Sequence, residues 1–108
     1  MKQQTKKFKI CGMNYKLKIV NCKDESLAIG DSYRCGVCWK VEETIYIADN
    51  LSEEIFKRVL LHELTHACVY GSGMSQVEWR EENVCDFLET HFEEIETIYW
   101  KLIDELFN

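Results

Sequence analysis

The pentapeptide His62-Glu63-Leu64-Thr65-His66 constrains the local fold more than any other part of this sequence. Its two histidines are four residues apart, and a helix brings side chains with that spacing onto one face. Both imidazole rings can then bind one tetrahedral zinc ion, while Glu63, rotated by about 100°, reaches a water held on the metal. The motif therefore predicts a helical zinc site, with His62 and His66 as ligands and Glu63 as general base.

The sequence on both sides of the motif also favours a helix. Asn50 or Ser52 is suited to cap its start, and Gly71 and Gly73 are suited to end it. Apolar side chains recur at three- and four-residue intervals and predict a broad buried face: Ile55, Phe56, Val59, Leu60, Leu64, Ala67 and Cys68. The histidines thus belong to a packed helix, which gives a metal site the rigidity it needs.

A second, acidic segment offers the third ligand that catalytic zinc requires. Glu82 comes sixteen residues after His66, and Asp86 follows it by four, on the same helical face. We predict that Glu82 binds the metal and that Asp86 accepts the free ring N–H of a zinc histidine. Glu81 is the rival ligand, since so acidic a helix offers several carboxylates. His91 is not expected at this zinc, because nine residues of helix rise about 13 Å.

Length and composition indicate one domain. The chain has 108 residues, 46% of them hydrophobic, and no proline, which suits a single compact domain over residues 1–108. No apolar run approaches a membrane span, and the first nine residues carry lysines without the apolar stretch of a secretory signal. We therefore expect a soluble, cytoplasmic protein.

The order of patterns along the chain predicts an α+β fold, with a small antiparallel sheet followed by an active-site helix and a ligand-bearing C-terminal helix. Alternation of apolar and polar residues predicts strands in the first half of the chain: Phe8–Ile10, Tyr15–Val20, Ser32–Trp39 and Thr44–Ile47. We expect a hairpin turn at Gly36. The second helical stretch is expected from about Glu78 to Phe107, with a break near His91.

The six cysteines are expected to be reduced thiols, since no export signal accompanies them. Cys35 and Cys38 form a CxxC pair, for which reduced structural cysteines are the favoured interpretation. A second metal site completed by Cys11 and Cys22 remains open, as does redox activity. Two further cysteines fall on apolar helical faces and are expected in the core: Cys68 and Cys85.

The motif helix, the glycine-containing loop after it, and residues 82–87 together resemble the small zincin-type metallopeptidases. The chain is similar to the ImmA/IrrE-like group and its short phage-borne relatives, and the likeness is specific over residues 40–90. The spacing of Glu82 and Asp86 is also similar to that of thermolysin-like gluzincins, in which the glutamate binds zinc and the aspartate orients a histidine. The metzincin pattern is absent, because this chain has Val69 and Ser72 where glycine and histidine would stand.

The resemblance implies a zinc metalloprotease, a hydrolase with one catalytic Zn²⁺ and a peptide or protein substrate such as a specific intracellular protein. His62, His66 and Glu82 would hold the metal, and Glu63 would move the proton. In zincins an extended substrate pairs with an edge strand beside the active helix. Residues 44–47 are our candidate for that strand, and an ordinary interior strand is the equal alternative. The sequence identifies no residue that stabilises the oxyanion.

Two other classes of function remain open. A domain this small is also consistent with a zinc-containing module that binds protein without useful turnover. Residues 1–23 hold seven lysines and no acid, in a chain of net charge −6, so this segment is also a candidate for contact with nucleic acid. We favour solvated lysines there, because no arginine-rich or aromatic-interleaved pattern accompanies them.

Overall fold

In the computed structural model, which describes residues 1–108, six strands precede two helices. The strands are β1 (Gln4–Ile10), β2 (Met13–Val20), β3 (Ala28–Ile29), β4 (Ser32–Tyr33), β5 (Gly36–Trp39) and β6 (Thr44–Ala48). A short 3₁₀ helix, Glu25–Leu27, follows β2, and the helices are α1 (Glu53–Gly71) and α2 (Glu81–Phe107). The predicted α+β class is confirmed.

Four strands form the main sheet in the order β1-β2-β6-β5, and β3 and β4 form a separate two-stranded sheet. The β1–β2 and β5–β6 pairs are antiparallel, whereas β2 and β6 are parallel. The sheet is therefore mixed and not wholly antiparallel, because the chain between β2 and β6 returns to start β6 at the same end as β2. Alternation along one strand does not encode the direction of its neighbour.

The placement of β6 corrects the predicted substrate-binding edge. Residues 44–47 belong to an interior strand with neighbours on both sides, and β5 occupies the edge. The predicted strand over residues 32–39 is in fact two strands, β4 and β5, and Gly36 begins β5 where we expected a turn. A Cβ at Gly36 would lie 2.5 Å from Cγ1 of Val59, so glycine here permits the close approach of β5 to α1.

One face of the main sheet packs against both helices. The sheet contributes Phe8, Ile10, Tyr15, Leu17, Ile19, Ile45 and Ile47 to this core. From α1 come Phe56, Leu60, Leu64, Ala67 and Cys68, and from α2 come Phe87, Ile95, Leu102 and Ile103. The predicted apolar face of α1 is thus buried at most of its positions, although Ile55 is exposed.

The first helix has its predicted limits, whereas the second differs from its prediction. Ser52 caps α1, where its hydroxyl accepts a hydrogen bond from the Ile55 backbone N–H at 3.2 Å. The second helix starts at Glu81, preceded by Arg80, which makes no side-chain capping bond. It continues through His91 to Phe107, so the expected break is absent. Neither helix is long and apolar enough to span a membrane.

Candidate metal centre and catalytic cleft

The two motif histidines lie one turn apart on the solvent-facing side of α1. Their Nε2 atoms are 3.1 Å apart, a distance that also permits one ring N–H to donate to the other ring nitrogen. Two nitrogens bound to one tetrahedral zinc at about 2.0–2.1 Å would be separated by about 3.3 Å. The pair therefore matches two positions of a zinc coordination sphere, and imidazole nitrogen is a preferred donor for that metal.

Glu63 lies between the histidines and is almost fully buried, with 6% of its surface exposed. One of its oxygens lies within 4.8 Å of a ligating nitrogen of both His62 and His66. Burial raises the pKa of the Glu63 carboxyl, and the positive charges of His62 and Arg34 oppose that rise. A buried carboxylate with a raised pKa beside side chains that could bind a metal is typical of a catalytic base.

The electrostatics around His66 favour the form of imidazole that binds metals. Partial burial of the ring lowers the pKa of His66, and the charges of His62 and Lys40 act in the same direction. The ring is therefore neutral over a wider range of pH than an ordinary histidine. Neutral imidazole is the metal ligand, so this environment suits His66 to that role.

A cleft runs between α1 and the edge strand β5. It consists of two neighbouring depressions of about 280 and 310 Å³, and both are lined by Gly36, His62 and Glu63. A larger depression of about 620 Å³ lies elsewhere on the sheet, and its lining contains lysines but no histidine, cysteine or carboxylate. The cleft is smaller than this depression, but it is lined by His62, Glu63 and His66, whereas the larger depression contains none of them.

Arg34 is a cleft residue that the sequence analysis missed. Its side chain lines the same depression as Glu63 and both histidines, and its guanidinium carbon lies 5.7 Å from the centre of the Trp39 ring. The Nε atom of Arg34 is buried without a hydrogen-bond partner. Buried donors are normally paired, so an unpaired N–H beside the cleft is an unusual feature of this site. Arg34 belongs to no sequence motif. Only the folded structure shows that it lies in the cleft.

The predicted acidic residues do not join the two histidines. The group of side chains around His62 and His66 that could hold a metal includes the Glu63 carboxylate and no other carboxylate. Glu82, Asp86 and the rival Glu81 are all exposed near the start of α2. The buried face of α2 is set by a different row of side chains, which includes Phe87, Ile95 and Leu102. The roles of Glu82 and Asp86 therefore stay predictions.

A second group of side chains that could bind a metal lies on the other side of α1. It consists of Cys11, Cys68, His91 and Glu94, whose ligand atoms lie within 4.8 Å of one another. Burial raises the pKa of the Cys11 thiol and of the Cys68 thiol. His91 belongs to this group and not to the group of the motif histidines, and its predicted absence from a zinc at the motif stays a prediction.

The CxxC pair belongs to neither group. Cys35 is exposed, whereas Cys38 is partly buried, with its Sγ 4.0 Å from the Tyr15 hydroxyl. Burial raises the pKa of Cys38 to about 11, as burial also raises the thiol pKa values of Cys11 and Cys68, but no other metal-binding side chain is grouped with Cys38. The structure thus offers no support for a metal site at the CxxC pair. Cys68 is in the core as predicted, but Cys85 faces solvent on α2, so that prediction was wrong.

No family model, no curated protein and no solved structure matches this chain. Its functional assignment rests on the motif and on the geometry of the cleft.

Proposed function

We propose that this chain is a zinc-dependent peptidase that hydrolyses peptide bonds of a specific intracellular protein. The observation that carries the proposal is the 3.1 Å separation of the His62 and His66 Nε2 atoms beside the buried Glu63 carboxylate. These three groups line a cleft whose opposite wall is an edge strand. A pair of metal ligands, a base and a strand for an extended substrate are the parts that peptide hydrolysis needs.

His62 and His66 would hold the metal, with Glu82 as the predicted third ligand. Bound zinc supplies a Lewis acid that polarises the scissile carbonyl and makes water a stronger acid. The chain's own residues must then place the substrate and move the protons.

Glu63 is the proton carrier in this proposal. Its carboxylate accepts a proton from the attacking water and delivers it to the nitrogen of the leaving amine. Burial raises the pKa of the Glu63 carboxyl above its ordinary value, and this change favours the first step, since an ordinary carboxylate is a weak base. Its fixed position on the buried side of α1 limits its motion between the two steps.

The edge strand β5 replaces residues 44–47 as the proposed substrate-binding strand. Its outer edge pairs with no other strand, so its backbone groups are free to bond with an extended peptide. The cleft also contains the cations Arg34, Lys40 and Arg58, whereas Glu63 is its only carboxylate. We assign the unpaired Nε–H of Arg34 to the carbonyl oxygen, on which negative charge develops.

Comparison of new protein N-termini in cells that express the native chain or Glu63→Gln tests this proposal. We expect a small set of new N-termini with the native chain that the variant does not produce. The same N-termini in both cell populations, or none in either, would contradict the proposed peptidase activity.

A protein-binding module that holds zinc without turnover is the second candidate, and the exposure of Glu82 away from the histidines favours it. Affinity capture with native chain and Glu63→Gln separates the two. Capture of one intact partner by both forms supports the module, whereas a partner that is cleaved only by the native chain supports the peptidase.

Contact with nucleic acid has one specific observation in its favour. Lys7 and Lys16 are exposed and lie directly opposite each other on β1 and β2, and together with Lys9 and Lys101 they line the depression of about 620 Å³. Titration with duplex DNA at several salt concentrations tests this function. Binding that weakens steeply with salt and is lost in Lys7→Gln/Lys16→Gln supports it, and no binding at low salt excludes it.

A further inference from the structure

Four side chains with metal-binding chemistry converge at the junction of the β1–β2 turn with both helices. Cys11 lies in that turn, Cys68 is near the end of α1, and His91 and Glu94 are on α2. The ligand atoms of all four lie within 4.8 Å of one another, although Cys11 and Glu94 are 83 residues apart in the chain. This cluster is separate from the motif histidines and shares no residue with them.

Local structure at each of the three segments explains why these side chains meet. Cys11 and Gly12 both have positive φ, at 50° and 76°, which makes the tight turn that lets β1 and β2 pair from Ile10↔Met13 onward. A Cβ at Gly71 would lie 3.0 Å from Cβ of Cys11, so the end of α1 packs directly against this turn. His91 and Glu94 are three residues apart and share one face of α2.

Two of the distances in the cluster are close to those of a tetrahedral zinc site. The Sγ atoms of Cys11 and Cys68 are 3.3 Å apart, and the Cys11 Sγ is 3.6 Å from Oε1 of Glu94. Two thiolates bound to one zinc at about 2.3 Å would be separated by about 3.8 Å, and a thiolate and a carboxylate oxygen by about 3.6 Å. Shifts of a few tenths of an ångström would therefore bring the two Sγ atoms to the separation that zinc requires.

The position of Glu94 is already fixed by a second contact. Its Oε2 accepts a hydrogen bond from the Cys11 backbone N–H at 2.9 Å. The carboxylate is thus held against the turn, with its other oxygen directed at the thiol. A supporting hydrogen bond of this kind orients ligands in metal sites.

We propose that Cys11, Cys68, His91 and Glu94 bind a structural zinc ion. Four protein ligands leave no open coordination position, which distinguishes this site from a catalytic one. The ion would join the β1–β2 turn to α1 and α2 and so contribute directly to the stability of the fold. A simple pair of thiols explains neither the imidazole nor the carboxylate beside them, whereas zinc coordination uses all four groups.

Zinc content of the purified full-length chain and of single variants tests the proposal. We expect two zinc ions per chain in the native protein and one in His91→Ala or Cys11→Ser. Matched controls are Glu93→Gln and Cys85→Ser, which change exposed neighbours of the same chemistry on α2 and should keep both ions. Unchanged zinc content in both His91→Ala and Cys11→Ser overturns the proposal. So does loss of an ion in Cys35→Ser, which would place the second site at the CxxC pair.

Two measurements on the native chain keep the test independent of whether a variant folds. Cobalt substitution should produce intense thiolate-to-metal charge-transfer absorption, which the motif histidines cannot give. A count of free thiols in unreduced, metal-free protein should equal the number of cysteines, which is six. Absence of the absorption band, or two fewer thiols because Cys11 and Cys68 form a disulfide, overturns the proposal.

The outcome is independent of the proposed peptidase function. His62→Ala should remove one zinc and leave the cobalt–thiolate absorption intact, whereas His91→Ala should remove the other zinc and abolish that absorption. If the native chain holds a single ion that only His91→Ala removes, the structural site stands and the catalytic site fails. A single ion that only His62→Ala removes supports the catalytic site and overturns the structural one.

Discussion

Gly36 on β5 and Val59 on α1 touch so closely that a Cβ at position 36 would lie 2.5 Å from Cγ1 of Val59. The same Cβ would lie 3.3 Å from the backbone oxygen of Tyr46 on the neighbouring strand β6. The contact sets the distance between the edge strand and the helix that carries the motif histidines. It thereby fixes the width of the proposed catalytic cleft.

Gly36→Ala should therefore destabilise the fold by about 1–3 kcal/mol, because the added methyl group must displace β5 or the Val59 side chain. Urea denaturation measures this change in the free energy of unfolding. Val59→Ala removes the atom in contact, so the double variant Gly36→Ala/Val59→Ala should lose less than the sum of the two single variants. Strict additivity would show that the two side chains do not collide.

His62→Ala and His66→Ala should each remove the ion that the motif holds. Each imidazole would contribute one direct bond to the metal, and the loss of either leaves an incomplete set of ligands. Thr65→Ala is a matched control inside the motif, because the Thr65 hydroxyl donates to the Leu61 carbonyl and does not take part in the metal group. Zinc analysis of the purified proteins checks the result, and unchanged content in both histidine variants would disprove a zinc site at the motif.

Three substitutions at the start of α2 test the predicted third ligand. Glu82→Ala should approach the zinc loss of the histidine variants, and Asp86→Asn should weaken zinc affinity by about 10–100-fold. Glu81→Ala should be nearly silent, since a step of one residue turns its side chain by about 100° around the helix. Zinc titration against a competing chelator measures all three. If Glu81→Ala is the damaging change, the ligand register is shifted by one, and if all three are silent, the third ligand lies elsewhere.

Arg34→Gln should lower the rate of peptide hydrolysis by about 10²-fold while zinc content stays unchanged. The Arg34 Nε–H is a buried, unpaired donor in the cleft, and loss of one such donor to a developing oxyanion typically costs this much. Arg80→Gln is the control, because Arg80 is exposed and its guanidinium pairs with Glu78. Equal rates for Arg34→Gln and the native chain would remove Arg34 from the mechanism.

The features predicted correctly from the sequence are those that residues close together in the chain determine. The spacing of His62 and His66, the cap at Ser52 and the apolar rows of α1 are local signals, and the helix forms as they indicate. Gly36 was misinterpreted because glycine serves both turns and close packing, and only the position of Val59 distinguishes them. The interior position of β6 depends on its pairing with β2. The sequence of β6 alone does not indicate which strands lie beside it.

The Cys11, Cys68, His91 and Glu94 cluster was beyond local analysis for the same reason. Only His91 and Glu94 have a helical spacing, and Cys11 joins them from the other end of the chain. The alternative that the sequence left open, a metal site of Cys11, Cys22 and the CxxC pair, followed residue type alone. In the structure, the β1–β2 turn packs against α1, and Cys11 therefore lies beside Cys68.

Hydrolysis of a complex peptide mixture by zinc-loaded native chain and by zinc-loaded Glu63→Gln tests the proposed peptidase most directly. Glu63 is assigned the proton transfer and is not a metal ligand, so the variant should fold and keep its zinc. We predict that mass spectrometry detects cleavage products with the native chain and that the variant forms them at least about 10²-fold more slowly. Equal rates of product formation by the two proteins, or no products from the native chain, would contradict the assignment of this site as a catalytic zinc peptidase.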